Sequence, residues 1–71
     1  MNIKKMKECA QKLWKLMCGS NRKWHFDELK AATGFTTEYL IASIGWLAGQ
    51  NKIHVDEKTG KYYNVLNYYI G

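Results

Sequence analysis

Hydrophobic residues recur every three or four positions over residues 3–17, the pattern of an amphipathic helix. Most lysines of this segment lie off the apolar stripe, which contains Ile3, Met6, Ala10, Leu13 and Met17. Residues 19–21, Gly-Ser-Asn, favour the end of this helix, because glycine readily adopts the left-handed conformation common after a last turn. The chain therefore opens with one amphipathic helix.

A short second helix is predicted from His25 onward. Its inner face holds Phe26, Leu29 and Ala32, and the acidic residues 27 and 28 lie in its first turn, where the helix dipole favours negative charge. Gly34 ends this helix. The connection to the next helix is only about three residues long, so the two helices are expected to cross steeply.

The third helix is predicted from about residue 37 to residue 50, with Thr36 or Thr37 capping its start. Its inner face is formed by Leu40, Ile44, Leu47 and Ala48. Its opposite face is a smooth strip of Glu38, Ala42, Gly45 and Gly49. Each mid-helix glycine lowers helix stability by about 1 kcal/mol relative to alanine. The two glycines therefore suggest that another group approaches the helix closely at this strip.

Apolar and polar residues alternate over residues 52–56, which predicts a β-strand. Residues 58–60 (Lys-Thr-Gly) are predicted to form a hairpin loop, and residues 61–66 the second strand. Counting outward from that loop pairs Val55 with Tyr63 and Ile53 with Val65. The opposite face then carries His54, Tyr62 and Asn64. Residues 68–70 form an aromatic tail that covers either the sheet or a partner.

These elements predict one hydrophobic core. Its members come from all three helices and from the hairpin, and they are Leu13, Trp14, Leu29, Leu40, Ile44, Leu47, Ile53 and Val55. We expect a single α+β, mainly α, domain over residues 1–71, in which a helix-turn-helix is followed by a two-stranded wing.

Several segments of this pattern resemble a small bacterial winged helix-turn-helix family of unknown function. They are residues 44–48, Ile-Gly-Trp-Leu-Ala, followed by Lys52 and Ile53, with Phe26, Leu29 and residues 33–35, Thr-Gly-Phe, upstream. The resemblance covers nearly the whole chain, but residues 49 and 50, Gly-Gln, stand where the family usually has a basic and an acidic residue. It implies the winged-helix fold, while DNA binding follows from that fold only by analogy.

Composition excludes several classes of protein. With 71 residues, 46% of them hydrophobic, the chain has room for one globular domain and no apolar run long enough to span a membrane. No secretory signal is visible, so we expect a cytoplasmic protein. Cys9 and Cys18 are nine positions apart on one helix, too far to form a disulfide.

The sequence offers little for catalysis. His25 and His54 have no nucleophile or paired carboxylate at a useful spacing, so we predict a non-enzymatic protein. Nor does any spacing of Cys or His suit a metal, and no cofactor or small-molecule ligand is indicated.

Two binding functions remain. A net charge of +5 favours DNA, although no Lys or Arg occurs between Lys30 and Lys52 and the basic residues are also consistent with a solvated surface. Weakly sequence-specific DNA binding in transcription regulation is the first hypothesis. Its candidate residues are Thr36, Thr37, Tyr39, Ser43, Lys52, Lys58 and Lys61.

Protein association through helix three, including homodimerisation, is the alternative hypothesis. Gly45 and Gly49 lie one turn apart on a face without basic residues, where another helix approaches easily. The candidate interface comprises Ile41, Ala42, Gly45, Trp46 and Gly49. The competing interpretation is that Trp46 packs under the wing or tail and the glycines only make room for helix one.

Overall fold

Three helices and a two-stranded antiparallel hairpin follow one another in residues 1–66, the part of the chain that the computed structural model describes. The helices are α1 (Ile3–Cys18), α2 (Phe26–Thr33) and α3 (Thr37–Gly49), and the strands are β1 (Ile53–Val55) and β2 (Tyr62–Asn64). The predicted α+β, mainly helical winged-helix architecture is therefore confirmed. The predicted aromatic tail, residues 68–70, lies outside the described residues.

Side chains next to the helix ends explain where α1 and α3 begin. The Asn2 side chain accepts a hydrogen bond from the Lys5 backbone N–H at 3.1 Å. The Thr36 hydroxyl accepts one from the Tyr39 backbone N–H at 3.3 Å, so Thr36, one of two predicted caps, is the N-cap of α3. Both bonds satisfy amide groups that have no partner inside the helix.

A carboxylate stabilises the start of α2. The backbone N–H of His25 donates to the Glu28 carboxylate at 2.7 Å, and this bond, followed by the interaction with Arg22, lowers the pKa of Glu28. Gly34 ends the helix as predicted and adopts the left-handed conformation, with φ of 71°. Gly19 ends α1 as expected but with φ of −78°, so the left-handed conformation argued for it was wrong.

The predicted core is mostly confirmed. Its buried members are Leu13, Leu29, Leu40, Ile44, Leu47 and Ile53, joined by Ala10, Met17 and Trp24. Trp14 is only half-buried and Val55 is 47% exposed, so these two predictions were wrong. Val55 is exposed because β1 leaves the core after its first residue, Ile53.

One residue in each of the three predicted apolar stripes is also exposed. Ile3 lies in the first turn of α1 and is 59% exposed, and Ala32 is exposed on α2. Ala48 is exposed because the buried face of α3 contains Leu40 and Leu47, and Ala48 lies about 100° around the helix from Leu47.

The wing register differs from the predicted one by one residue. Ile53 pairs with Asn64 and Val55 with Tyr62. The hairpin closes at Asp56, whose N–H donates to the Lys61 carbonyl at 2.8 Å, so that the loop has four residues, 57–60, instead of three. The Asp56 side chain favours this longer loop, because it accepts the Lys58 N–H at 2.9 Å.

A one-residue shift exchanges the faces of a strand. Tyr62 packs against the core and Asn64 is 3% exposed, although both had been predicted on the outer face. Asn64 donates from its side-chain nitrogen to the Cys18 sulfur at 2.9 Å, which ties the wing to the end of α1. Tyr63 instead lies beside His54 on the outer face, with ring centroids 6.1 Å apart.

One extended residue between α1 and α2 extends the sheet. Trp24 and Tyr62 exchange both backbone hydrogen bonds, each 2.7 Å long. The sequence pattern did not predict this bridge, because a single paired residue has no periodicity. It anchors the loop before α2 to the wing.

The same loop holds the wing through an ion pair. The Lys23 ammonium donates to the Asp56 carboxylate at 2.7 Å. This bond, with the Lys58 N–H, holds the pKa of Asp56 below its usual value. A lowered pKa means that the charged carboxylate stabilises the folded state.

We predict that Leu40→Ala lowers the free energy of unfolding by about 2–5 kcal/mol, because it leaves a cavity in the core. Leu40 is fully buried, whereas its neighbour Ile41 is 58% exposed and is the matched control. Ile41→Ala should change stability by no more than about 0.5 kcal/mol. Urea denaturation measures both, and equal losses for the two variants would contradict the orientation of α3.

We also predict that Asp56→Asn destabilises the protein at neutral pH and that the difference from wild type disappears in acid. The wild-type advantage is present above the ordinary aspartate pKa of about 3.9 and is lost as the pH falls through the lowered pKa of Asp56. Thermal unfolding of both proteins across acidic and neutral pH checks this. A difference that persists unchanged in strong acid would show that charge is not its cause.

Candidate nucleic-acid and protein interfaces

The outward face of α3 has almost no charge. Ile41, Gly45 and Gly49 are exposed on it, and Glu38 in the first turn is its charged residue. A Cβ atom built at Gly45 or Gly49 would meet nothing within 4 Å among the described residues. The glycines therefore do not make room for α1, and the strip is an open surface.

Trp46 lies at one edge of this strip and is 40% exposed. The Lys7 ammonium of α1 lies over its indole ring, 5.2 Å from the centroid. Trp46 is therefore not buried under the wing. Of the predicted interface residues, Ile41, Gly45, Trp46 and Gly49 share this exposed side, while Ala42 is half-buried.

The predicted nucleic-acid residues do not form one cluster. Ser43 is fully buried, and its hydroxyl has no hydrogen-bond partner among the described residues. It cannot contact nucleic acid, because position 43 faces the core together with Leu40 and Leu47. Its inclusion was wrong, since helical spacing alone did not separate the edge of the inner face from the outer one.

The start of α3 brings polar and basic groups together. The Thr37 hydroxyl accepts a hydrogen bond from the Lys30 ammonium of α2 at 2.6 Å. The Lys5 ammonium of α1 lies 5.1 Å from the centre of the Tyr39 ring, and the Tyr39 hydroxyl accepts the Asn2 N–H at 3.1 Å. Lysines from α1 and α2 therefore lie beside the start of α3, which has no basic residue of its own.

A cavity of about 210 Å³ lies beside this end of α3. We call it the threonine pocket, and its lining includes Lys5, Cys9, Lys12, Phe35, Thr36 and Tyr39. The positive end of the α3 dipole and two lysines favour anions here. Sequence reasoning placed these lysines on α1 but did not connect them with α3, because that requires the angle between the helices.

A second cavity, of about 230 Å³, lies between α1 and the last turn of α3. We call it the tryptophan pocket. Its lining includes Lys7, Gln11, Trp14, Trp46, Gln50 and Lys52. The Lys52 ammonium lies 5.4 Å from the centre of the Trp14 ring, so each indole has a lysine over it.

The position of Lys52 follows from the end of α3. Asn51 adopts the left-handed conformation, with φ of 58°, and the Lys52 N–H donates back to the Leu47 carbonyl at 3.0 Å. This termination turns the chain toward α1. The remaining predicted lysines lie on the wing, Lys58 exposed in the loop and Lys61 half-buried.

Residues 1–66 also bear on metal binding, thiol chemistry and membrane spanning. Within residues 1–66, no three or more His, Cys, Asp or Glu side chains come together in a way that would hold a metal ion. Cys9 is buried and Cys18 half-buried, and neither forms a disulfide. None of the helices in this range is both long and apolar enough to cross a membrane.

Comparisons with known proteins agree with this architecture. The family model described as winged helix-turn-helix domain (DUF2582) matches residues 1–66. Comparisons with curated proteins and with solved structures gave no significant match. The predicted resemblance is confirmed, and the chain belongs to the winged helix-turn-helix family DUF2582.

Proposed function

We propose that this protein is a non-enzymatic DNA-binding module that contacts mainly phosphates and has weak sequence preference, as in a transcription regulator. The proposal rests on two lysines from other helices, Lys30 and Lys5, that lie beside the start of α3. Lys30 donates to Thr37 at 2.6 Å and Lys5 lies over Tyr39. In helix-turn-helix proteins the N-terminal part of the recognition helix enters the major groove, and the same docking of α3 would bring these lysines beside the DNA backbone.

Weak sequence preference follows from what α3 lacks. Specific base contacts in the major groove come mostly from Arg, Lys, Asn and Gln. The outward face of α3 has none of these before Gln50, and its polar groups near the start are Thr36, Thr37, Tyr39 and the acidic Glu38, which repels phosphate. Lys52, Lys58 and Lys61 of the wing supply further phosphate contacts.

We predict that binding to duplex DNA depends steeply on salt. Lys30→Gln and Lys58→Gln should each reduce the slope of log K against log salt by about 0.9 if one phosphate contact is lost. Lys15→Gln, an exposed lysine in the last turn of α1, is the charge-matched control and should leave the slope unchanged. Fluorescence anisotropy with two unrelated duplexes measures slope and sequence preference together.

Two results would contradict this proposal. One is the absence of duplex binding at low salt, and the other is binding that survives high salt and discriminates single base pairs. Equal slopes for all three lysine variants would show that the lysines near α3 and in the wing are not the contact surface.

A second candidate function is self-association through α3. It is favoured by the open space beside Gly45 and Gly49 and by the exposure of Ile41 and Trp46 on the same side. Small residues let two helix backbones approach closely, and large exposed side chains at the edge serve as anchors. This surface suits a protein partner because it carries so little charge.

We predict that Gly45→Ala and Gly49→Ala each stabilise the monomer by up to about 1 kcal/mol, because alanine has the higher helix propensity and the new methyl has room. The same methyls should weaken self-association, and Trp46→Ala should weaken it by about 2 kcal/mol. Analytical ultracentrifugation measures association, with Ala31→Ser on the exposed side of α2 as the control. A wild-type protein that stays monomeric at high concentration would remove this candidate.

A further inference from the structure

The tryptophan pocket combines two indoles, two ammonium groups and two side-chain amides within one cavity of about 230 Å³. We propose that it binds an unpaired nucleotide, with the base stacked on an indole and the adjacent phosphate held by lysine. This goes beyond duplex binding at the start of α3, because the pocket lies at the opposite end of that helix.

The first argument is the pairing of aromatic and cationic groups. Lys7 lies 5.2 Å from the centre of the Trp46 ring, and Lys52 lies 5.4 Å from the centre of the Trp14 ring. Proteins that bind single-stranded nucleic acid use this combination, in which aromatic rings stack with bases and lysines follow the backbone. In a duplex the base faces are already stacked, so only an unpaired base offers one to an indole.

The second argument is accessibility. Trp46 is 40% exposed and Trp14 is half-buried, so the indoles have accessible surface inside a defined cavity. Trp24, by contrast, is 7% exposed and belongs to the core. Trp14 packs against the core with part of its surface, whereas Trp46 is not part of the core, so both indoles keep accessible surface in the pocket.

The third argument concerns the polar groups at the pocket edge. Gln11 and Gln50 line the cavity from α1 and from the end of α3. Amide side chains both donate and accept hydrogen bonds, so they can pair with the polar edge of any base. Lysines alone would favour any anion, but lysines together with indoles and amides match the phosphate of a nucleotide and the face and polar edge of its base.

Binding requires a modest rearrangement. A base that stacks on an indole replaces the ammonium group over that ring, and the lysine moves to the phosphate of the same nucleotide. Long lysine side chains allow this movement without a change in the backbone. The cation–π contacts therefore hold the lysines close to the place where the phosphate arrives.

The test is a titration of the wild-type protein with a short fluorescein-labelled oligothymidine, followed by anisotropy and by quenching of tryptophan emission. We expect binding, quenching of the accessible indoles, and a salt slope of about 0.7 for each phosphate contact. Trp46→Leu should weaken binding on the order of tenfold, since stacking accounts for a large part of such affinities. Lys7→Gln should lower the salt slope, whereas Lys15→Gln, on the same helix, should not.

Two competitors, thymidine monophosphate and a duplex of the same length, show whether the pocket binds a free nucleotide, a single strand or duplex DNA. Competition by the monophosphate at similar affinity would identify a free nucleotide as the ligand of the same pocket, and much stronger binding of the oligonucleotide would identify a single strand. Duplex binding is measured in parallel with Lys30→Gln, so that the two proposals can fail separately. Absence of quenching by both ligands, or unchanged binding in folded Trp46→Leu and Lys7→Gln variants, would overturn the proposal. Circular dichroism establishes that these variants are folded.

Discussion

The packing of α1 against α3 determines where every candidate surface lies. These two helices make the most extensive contact of any pair of elements within residues 1–66. Leu13 of α1 and Leu40 of α3 are both fully buried there. Because this contact fixes the rotation of α3 about its axis, it also fixes which face of α3 remains outside. The threonine pocket and the tryptophan pocket both lie along the boundary between the same two helices.

The wing depends on a second set of contacts that are mainly polar. Its first residue, Ile53, is fully buried, but further out the strands are held by the Trp24–Tyr62 backbone bonds and by the Lys23–Asp56 ion pair. Both side chains of the ion pair are half-buried, and the pair acts together with the two backbone bonds and the buried Asn64 to position the hairpin. Lys52 lies between two fixed points, since its N–H donates to Leu47 of α3 and its neighbour Ile53 is fully buried. These contacts hold it beside Trp14.

Much of the fold was predictable because short-range rules determine it. The predicted bounds of α3 and of the turn before it agree closely with the structure. They follow from helical periodicity, from the Thr36 cap and from Gly34 at the end of α2. The wing register was not predictable in the same way, because it depends on whether the loop has three residues or four. Side chains at both ends of the loop favour the longer form, because Asp56 accepts the Lys58 N–H and Thr59 accepts the Lys61 N–H. Such a small local preference exchanged the positions of Tyr62 and Tyr63.

The candidate sites were less predictable than the fold, because each combines elements that are distant in the sequence. Exposure of Gly45, Gly49 and Trp46 agreed with the helical projection, while Ser43 was misplaced at the edge of the same projection. The contacts of Lys7 with Trp46 and of Lys30 with Thr37 depend on how three helices cross. A list of lysines in the sequence indicated a basic protein, but it did not indicate which lysines would surround α3.

The distribution of charge around α3 also limits the kind of recognition that this domain supports. A basic side chain on the outward face would reach base edges directly, whereas Lys5, Lys30 and Lys52 come from neighbouring elements and lie at the ends of the helix. In the proposed complexes, ammonium groups at those positions would meet the backbone of a nucleic acid before its bases. Contact with a base would then fall to side chains that stack on it or pair with its polar edge, and such side chains line the tryptophan pocket. The two proposals therefore use opposite ends of the same helix, with duplex phosphates at its start and an unpaired base with its own phosphate at its end.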